Sequence, residues 1–220
     1  MSEDQVSHTD FITCAYYDVS ELGEPILMAR GMELLPWEQR RKQVERYRFG
    51  RDRRLCLGAG LLAASLLREA GARDLSLDYG PYGKPFLPNH PHIHFNISHS
   101  GNLAVCAVAN EPVGVDVETV AYHGREVAEY CMQPQELAWL NAAADPAHAF
   151  TRLWVRKESY IKLLGTGLSR EPKTICVLPG EPLQDGATFL ESKVEGAILC
   201  ICTIGKRKVR YRRWSMESAQ

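Results

Sequence analysis

Apolar and polar residues follow two different periods along this chain, one typical of strands and one typical of helices. Between positions 113 and 118, valine alternates with Gly114, Asp116 and Glu118, which is the two-residue period of a strand with one buried face. Residues 146–164 instead repeat apolar side chains every three or four positions, which predicts a long helix ending at Gly165. Asp116 and Glu118 are therefore expected on the polar face of one strand.

The same patterns predict the remaining elements. Helices are expected over 36–49, 52–70, 125–131 and from Pro134, and strands over 11–17, 75–78, 92–97, 103–109, 175–178, 187–194 and 197–204. Segments 101–108 and 196–203 are similar in sequence, which suggests two related halves. We expect an α/β (α+β) fold, a pseudo-two-fold pair of similar subdomains over 1–111 and 112–220. Each would be a small sheet packed by helices, with the active site in the cleft between them.

Composition is typical of a globular protein. The chain has 220 residues, of which 45% are hydrophobic and 24% charged, with a formal net charge of -1. Residues 1–10 have neither a basic start nor an apolar run, so we expect no signal peptide. No apolar stretch is long enough to span a bilayer, so we expect no membrane partner. The seven cysteines contain no Cys-x-x-Cys pair, so we expect reduced thiols and a cytoplasmic protein.

Two segments, 40–54 and 206–213, are strongly basic. A solvated helix face and a charged edge strand would explain such runs, and we favour the edge strand for 206–213. For 40–54 we expect an anionic partner instead. A nucleic-acid binder is a further hypothesis, but neither a helix-turn-helix nor an aromatic single-strand platform is recognisable, so we expect no nucleic-acid partner.

Three acidic residues are candidates for a metal site. Asp116 and Glu118 alone would also fit a solvated sheet face, and Glu158 and Lys162 alone would fit an ordinary i,i+4 surface pair. Lys157 falls within the apolar stripe of its helix and therefore needs a partner. If Glu158 approaches the two strand carboxylates, the three acids would form the oxygen-rich site that Mg²⁺ prefers.

The segment 95–101 ends a strand in small polar residues. The hydroxyl groups of Ser98 and Ser100, with free backbone amides and an imidazole, could bind phosphate. Two alternatives are a zinc site and a Ser-His nucleophile pair. The zinc site would use four nearby histidines, His90, His92, His94 and His99. The nucleophile pair is disfavoured because adjacent strand residues point to opposite faces.

Four motifs occur in a fixed order along the chain. They are Tyr82-Gly83-Lys84-Pro85, Phe95-Asn96-Ile97-Ser98-His99-Ser100, Gly114-Val115-Asp116-Val117-Glu118 and Trp154-Val155-Arg156-Lys157-Glu158-Ser159-Tyr160-Ile161-Lys162, the last followed by Gly165-Thr166-Gly167-Leu168. This order resembles the 4'-phosphopantetheinyl transferases, in their monomeric surfactin-type branch, over residues 40–168. The resemblance implies a monomeric enzyme that moves the phosphopantetheine arm of coenzyme A onto a serine of an apo acyl or peptidyl carrier protein. The reaction would need Mg²⁺ and release adenosine 3',5'-bisphosphate. A catalytically silent module that binds coenzyme A or the carrier is the alternative.

The resemblance also implies roles for individual residues. The metal ligands would be Asp116, Glu118 and Glu158. The catalytic residues would be Glu158, Lys162 and Asp116, with the identity of the general base left open. The coenzyme A contacts would be Lys84, Ser98, His99, Arg54, Lys42, Lys157 and Lys162. Glu136 is similar to a family acid at a helix start, where a carboxylate also serves as a cap.

Overall fold

A computed structural model describes residues 11–183 and 185–219 of the chain. Its helices are α1 (Pro25–Leu34), α2 (Glu38–Arg46), α3 (Gly50–Glu69), α4 (Arg125–Cys131), α5 (Pro134–Asn141) and α6 (Pro146–Leu164). Its strands are β1 (Phe11–Asp18), β2 (Asp78–Tyr79), β3 (Pro85–Phe86), β4 (His94–Ser100), β5 (Leu103–Ala109), β6 (Val113–Thr119), β7 (Ala187–Val194), β8 (Ala197–Ile204) and β9 (Lys208–Arg213). The predicted mixed α/β fold, with small sheets packed by helices, is confirmed.

The first sheet has the order β4-β5-β1-β9 and packs against α3. Strands β4 and β5 form a hairpin, and β1 pairs with β5 in the antiparallel sense. The basic strand β9 pairs in parallel with β1, with Val209 opposite Ile12, and forms the edge of the sheet. The segment 206–213 therefore contains the expected edge strand, but it joins the sheet of the N-terminal residues. The first sheet therefore contains a strand from beyond residue 112, the predicted boundary between the two subdomains.

The second sheet has the order β6-β8-β7 and packs against α6. Its central strand β8 is buried except at its last residue, and β6 lies at the edge. Gly114 on β6 lies against the backbone of α6, because a Cβ atom at this position would lie 3.0 Å from Leu163 Cα and overlap Ser159 O and Leu163 N. The missing side chain lets strand and helix approach closely, which brings α6 to the carboxylates of β6.

The two sheets meet at β4 and β6. The buried side chain of Asn96 on β4 accepts a hydrogen bond from Val115 N on β6 at 2.9 Å, in place of a backbone ladder. Behind this seam a shared apolar core includes Ile12, Val105 and Leu199. Side chains at the seam therefore come from both halves of the chain.

The structure differs from the prediction in several elements. Helix α1 was not predicted, although its Gly31 packs against Leu57 and Leu61 of α3. Segment 75–78 has a strand only at its last residue, and segment 175–178 has none. In the latter, Ile175 O and Val177 N are hydrogen-bonded to side chains of α6 and α5, which takes the backbone groups that a neighbouring strand would use.

The structure also bears on the predicted state of the cysteines and on membrane insertion. All seven cysteines are free, and all but Cys176 are buried. Within the described ranges, no helix combines the length and apolarity that crossing a bilayer requires. The segment 1–10, on which the signal-peptide expectation rests, lies outside the described residues.

Candidate active site

Asp116 lies at the centre of the seam between the two sheets. It is 2% exposed, and its Oδ1 accepts hydrogen bonds from Ser98 Oγ on β4 at 2.7 Å and from Lys162 Nζ on α6 at 2.6 Å. Lys162 Nζ also lies 2.8 Å from Ser98 Oγ. The other carboxylate oxygen, Oδ2, is buried and has no hydrogen-bond partner. The structure thus brings together residues from three elements that the sequence separates widely.

Glu118 repeats this arrangement two residues along β6. Ser100 Oγ donates a hydrogen bond to Glu118 Oε2 at 2.6 Å and accepts one from Thr119 N at 3.2 Å. Burial raises the pKa of Glu118, and the negative charge of Asp116 raises it further, against the opposing effect of the Ser100 hydrogen bond. Ser98 and Ser100, on one face of β4, therefore orient the two carboxylates of β6.

Glu158 comes from α6, a helix that Asp145 caps through its hydrogen bond from His148 N and that ends at the left-handed Gly165. Burial raises the pKa of Glu158, and the charges of Asp116 and Glu118 raise it further. Its Oε1 is buried without a hydrogen-bond partner. The three acids therefore interact electrostatically across the seam, with Lys162 as the neighbouring cation.

The carboxylates fit a divalent cation by their chemistry. Among the residues that the structure describes, no group of three or more His, Cys, Asp or Glu side chains already stands in metal-binding geometry. However, Asp116 and Glu158 each bury an oxygen without a partner, and the pKa of Glu158 is raised by burial and, in addition, by the like charges of Asp116 and Glu118. A hard cation would satisfy both oxygens and offset that repulsion.

A cavity of about 330 Å³ opens beside this cluster. It lies between α2, the turn that joins β2 and β3, strand β4 and the end of α6. Its lining is Trp37, Arg40, Gln43, Ala63, Leu77, Tyr79, Tyr82, Gly83, Lys84, Pro85, Phe95, Asn96, Ile97, Ile161, Lys162, Gly165 and Gly167. The lining combines cationic groups with aromatic rings, which suits an anionic ligand with a flat ring.

Sequence reasoning missed several residues of this cavity. Trp37, Arg40 and Gln43 line it from α2 and the residue before it. They are spaced three residues apart, so they share one helix face. Within the basic run 40–54, this spacing would have distinguished Arg40 from its neighbours.

Several predicted coenzyme A contacts lie away from the cavity. Lys42 is exposed and forms an ion pair with Glu38 at 2.6 Å. Arg54 does not line the cavity, although its buried Nε has no hydrogen-bond partner. His99 lies on the face of β4 opposite Ser98. The pKa of His99 is lowered by desolvation and by the cations Lys162 and Arg40, which places it in a positive field.

Lys157 does not line the cavity, and its buried position does not match the predicted contact with coenzyme A. Its side chain is 0% exposed, and its Nζ lies 2.7 Å from Glu136 Oε2, a carboxylate that is also 0% exposed. Lys157 Nζ further donates to Pro172 O at 3.0 Å and to Ile175 O. The apolar stripe correctly indicated burial, but the partner is a carboxylate of α5 and not a ligand.

Lys84 lines the cavity, but its ammonium points to backbone carbonyl groups. Burial lowers the pKa of Lys84 to about 8. Its Nζ donates hydrogen bonds to Lys162 O at 2.7 Å, Val113 O at 3.1 Å and Leu163 O at 3.2 Å. The three carbonyls offset the cost of burying this charge.

Two family models match adjoining parts of the chain. The model of the 4'-phosphopantetheinyl transferase superfamily matches residues 112–203. The model of the N-terminal part of 4'-phosphopantetheinyl transferases matches residues 28–111. The two matches meet at the residue before β6, and together they include every residue of the carboxylate cluster and its cavity.

Curated relatives carry the same description. A 4'-phosphopantetheinyl transferase of Bacillus subtilis is 35% identical over 136 residues, 60% of this chain and 61% of the relative. The 4'-phosphopantetheinyl transferase Sfp of Bacillus subtilis strain 168 is 34% identical over 144 residues, 64% of each chain. The 4'-phosphopantetheinyl transferase gsp of Aneurinibacillus migulanus is 44% identical over 89 residues, 40% of this chain and 37% of the relative. The chain thus matches less than two thirds of the length of each of these relatives.

Proposed function

We propose that this chain, which belongs to the 4'-phosphopantetheinyl transferase superfamily in its surfactin-type branch, transfers phosphopantetheine from coenzyme A to an apo carrier protein. The observation that carries the proposal is the meeting of Asp116, Glu118 and Glu158 with Lys162 at the edge of a cationic cavity. The N-terminal residues up to 111 would supply most of the coenzyme A pocket, and residues from 112 the metal ligands and the catalytic helix.

The three carboxylates would hold the cation. Asp116, Glu118 and Glu158 would bind Mg²⁺, which when bound neutralises charge on the pyrophosphate of coenzyme A. Ser98 and Ser100 would keep the carboxylates of β6 in position through hydrogen bonds of 2.7 and 2.6 Å. Partners of this kind commonly fix the orientation of metal ligands.

Proton transfer would fall to a carboxylate of the cluster. In the proposed reaction the serine oxygen of the carrier forms a bond to the phosphorus that bears pantetheine, and the bond from that phosphorus to the leaving adenosine bisphosphate breaks. The serine proton goes to Glu158, whose Oε1 is not engaged by any hydrogen-bond donor of the described residues. General-base assistance of this type contributes about 10² to 10⁴-fold.

The cationic groups would act on the leaving group. Lys162 lies on the cavity lining, 2.6 Å from Asp116, and its ammonium would stabilise charge that develops on the departing phosphate. Arg40 lines the same cavity from α2, where it would meet the phosphates of the adenosine part. The aromatic rings of Trp37 and Tyr82 on the same lining would contact the base.

The carrier would approach beside the carboxylates. Helix α4 follows shortly after Glu118 and exposes Val127 and Tyr130, which are 40% and 75% exposed, on one face. Tyr122, 45% exposed, lies between the two elements. We assign this apolar surface to the binding of the carrier. We further propose that the enzyme is a monomer and acts in the cytoplasm, a reducing compartment in which its cysteines would stay free.

The proposed function is tested by measuring phosphopantetheine transfer to a carrier protein directly. The protein, coenzyme A and Mg²⁺ are incubated with a panel of apo acyl and peptidyl carriers, and the intact mass of each carrier is measured. We expect at least one carrier to gain one phosphopantetheine group, and no gain when its acceptor serine is replaced by alanine. Glu158→Gln and Asp116→Ala should abolish the gain while the far-UV spectrum stays unchanged. Binding of coenzyme A without mass gain on any carrier would favour a silent binding module instead.

A further inference from the structure

Among the described residues, the hairpin of β2 and β3 is hydrogen-bonded to the rest of the fold through one side chain. Each strand has two residues, a length that gives a hairpin little stability of its own. Within the described part of the chain, the hydrogen bonds that tie residues 78–86 to other elements come from the ammonium of Lys84. Detaching this ammonium would leave the hairpin held by packing contacts alone.

The ammonium has no donor left for a ligand. A lysine offers three N–H donors, and Lys84 Nζ reaches Val113 O, Lys162 O and Leu163 O at 2.7 to 3.2 Å. Two of these acceptors belong to the last turn of α6, whose carbonyl groups lack partners within the helix. The positive charge also complements the negative end of the helix dipole. Lys84 therefore acts as a side-chain cap for α6.

The side chain of Lys84 passes close to a glycine at the end of α6. A Cβ atom at Gly165 would lie 3.1 Å from Lys84 Cδ, a tight contact that the lysine stem would have to relieve by shifting. Gly165 has a φ of 68° and ends α6 in the left-handed conformation. Two residues on, a Cβ atom at Gly167 would lie 3.8 Å from Tyr82. The 82–84 turn thus packs directly on the 165–167 turn.

This contact forms one wall of the cavity. Tyr79, Tyr82, Gly83 and Pro85 line the cavity from the hairpin, and Gly165 and Gly167 line it from the end of α6. The wall exists only while the two turns stay together.

We propose that Lys84 is a positioning residue that straps the β2–β3 hairpin to the end of α6 and so forms the wall of the coenzyme A pocket. The inference rests on the proposed function for the identity of the ligand, while the strap itself is a property of the ligand-free chain. It replaces the expectation that Lys84 contacts coenzyme A through its ammonium.

The test combines hydrogen exchange with steady-state kinetics in Lys84→Met, which keeps most of the aliphatic stem and removes the donors. Lys193→Met is the control, because Lys193 is exposed on β7, away from the cavity. In ligand-free protein, the amides of Gly80 and Gly83, both hydrogen-bonded within the hairpin, should exchange about tenfold faster in Lys84→Met, since one charge-assisted hydrogen bond is worth at least that factor. KM for coenzyme A should rise by about tenfold with a smaller change in kcat.

A direct contact between Lys84 and a phosphate would also raise KM, but it would leave exchange in the ligand-free protein unchanged. Unchanged exchange therefore overturns the proposal whatever happens to KM, and faster exchange with an unchanged KM overturns the role in the pocket. If Lys84→Met does not fold, Lys84→Gln is measured in the same way. Absence of transfer by the wild-type protein would refute the proposed function, while the exchange result would still decide whether the strap exists.

Discussion

Replacing Gly114 with alanine should disturb the active site through the backbone of α6. The added Cβ would overlap Ser159 O and Leu163 N, and it would lie 3.0 Å from Leu163 Cα. These are backbone atoms, so no rotamer change relieves the overlap. The helix must move away from β6 by roughly 1 Å before carbon contacts return to their usual separation.

The expected loss of stability follows from packing, and the expected loss of turnover follows from the displacement of α6. Overpacking of this kind costs about 1 to 3 kcal/mol, and a chain of this size loses about 2 to 4 °C in Tm per kcal/mol. Lys162 and Glu158 move with the helix, so the 2.6 Å contact between Lys162 and Asp116 is lost. A misplacement of about 1 Å typically costs about 10²-fold in rate, so kcat should fall far more than stability alone explains.

The assay is thermal unfolding together with carrier modification under saturating coenzyme A. Gly23→Ala serves as the matched control, because a Cβ atom there meets no atom within 4 Å and the residue has no positive φ. The control should keep wild-type Tm and turnover. If Gly114→Ala also keeps both, the close approach of β6 and α6 does not position the site and the reasoning is refuted.

Three further predictions follow from the contacts described. Glu136→Leu leaves Lys157 buried without its counter-ion and should cost about 3 to 5 kcal/mol in urea unfolding. Adding Lys157→Met should recover only part of this loss, because Val177 N and Ile175 O still lack their side-chain partners; a double variant as unstable as the single one would contradict this. Ser98→Ala should lower kcat about 10 to 100-fold with an unchanged Tm, since it frees Asp116 from one donor; unchanged turnover would exclude an orienting role. In metal-free protein burial raises the pKa of Glu158, so from about pH 4.3 upward the folded state binds more protons than the unfolded state. Tm should therefore fall as pH rises through the raised pKa. Glu158→Gln should flatten that decline, and an equal slope in both proteins would count against it.

The sequence predicted those parts of the site whose geometry is local. The alternation around Asp116 and Glu118 placed both acids on one face of a strand, and the helical stripe of α6 placed Lys157 on its buried side. Such inferences need only the period of the element, which is a property of adjacent residues.

The remaining geometry depends on contacts between distant segments. The pairing of β9 with β1 joins residues almost 200 positions apart, for example Ile12 with Val209, and no local pattern specifies it. The partner of Lys157 is Glu136 on another helix, and segment 175–178 bonds to these two side chains in place of a strand. The sequence likewise predicts a ligand contact for Lys84, because the true acceptors of its ammonium, the carbonyls of residues 113, 162 and 163, have no signature in sequence.

Group transfer yields two products, and their stoichiometry distinguishes transfer from binding alone. Carrier mass gain and released adenosine 3',5'-bisphosphate are measured in the same sample of protein, coenzyme A, Mg²⁺ and apo carrier. We predict one bisphosphate for each modified carrier serine, with both signals lost in Glu158→Gln. Coenzyme A that is bound but not consumed, or bisphosphate released without modified carrier, would contradict transfer to the carrier.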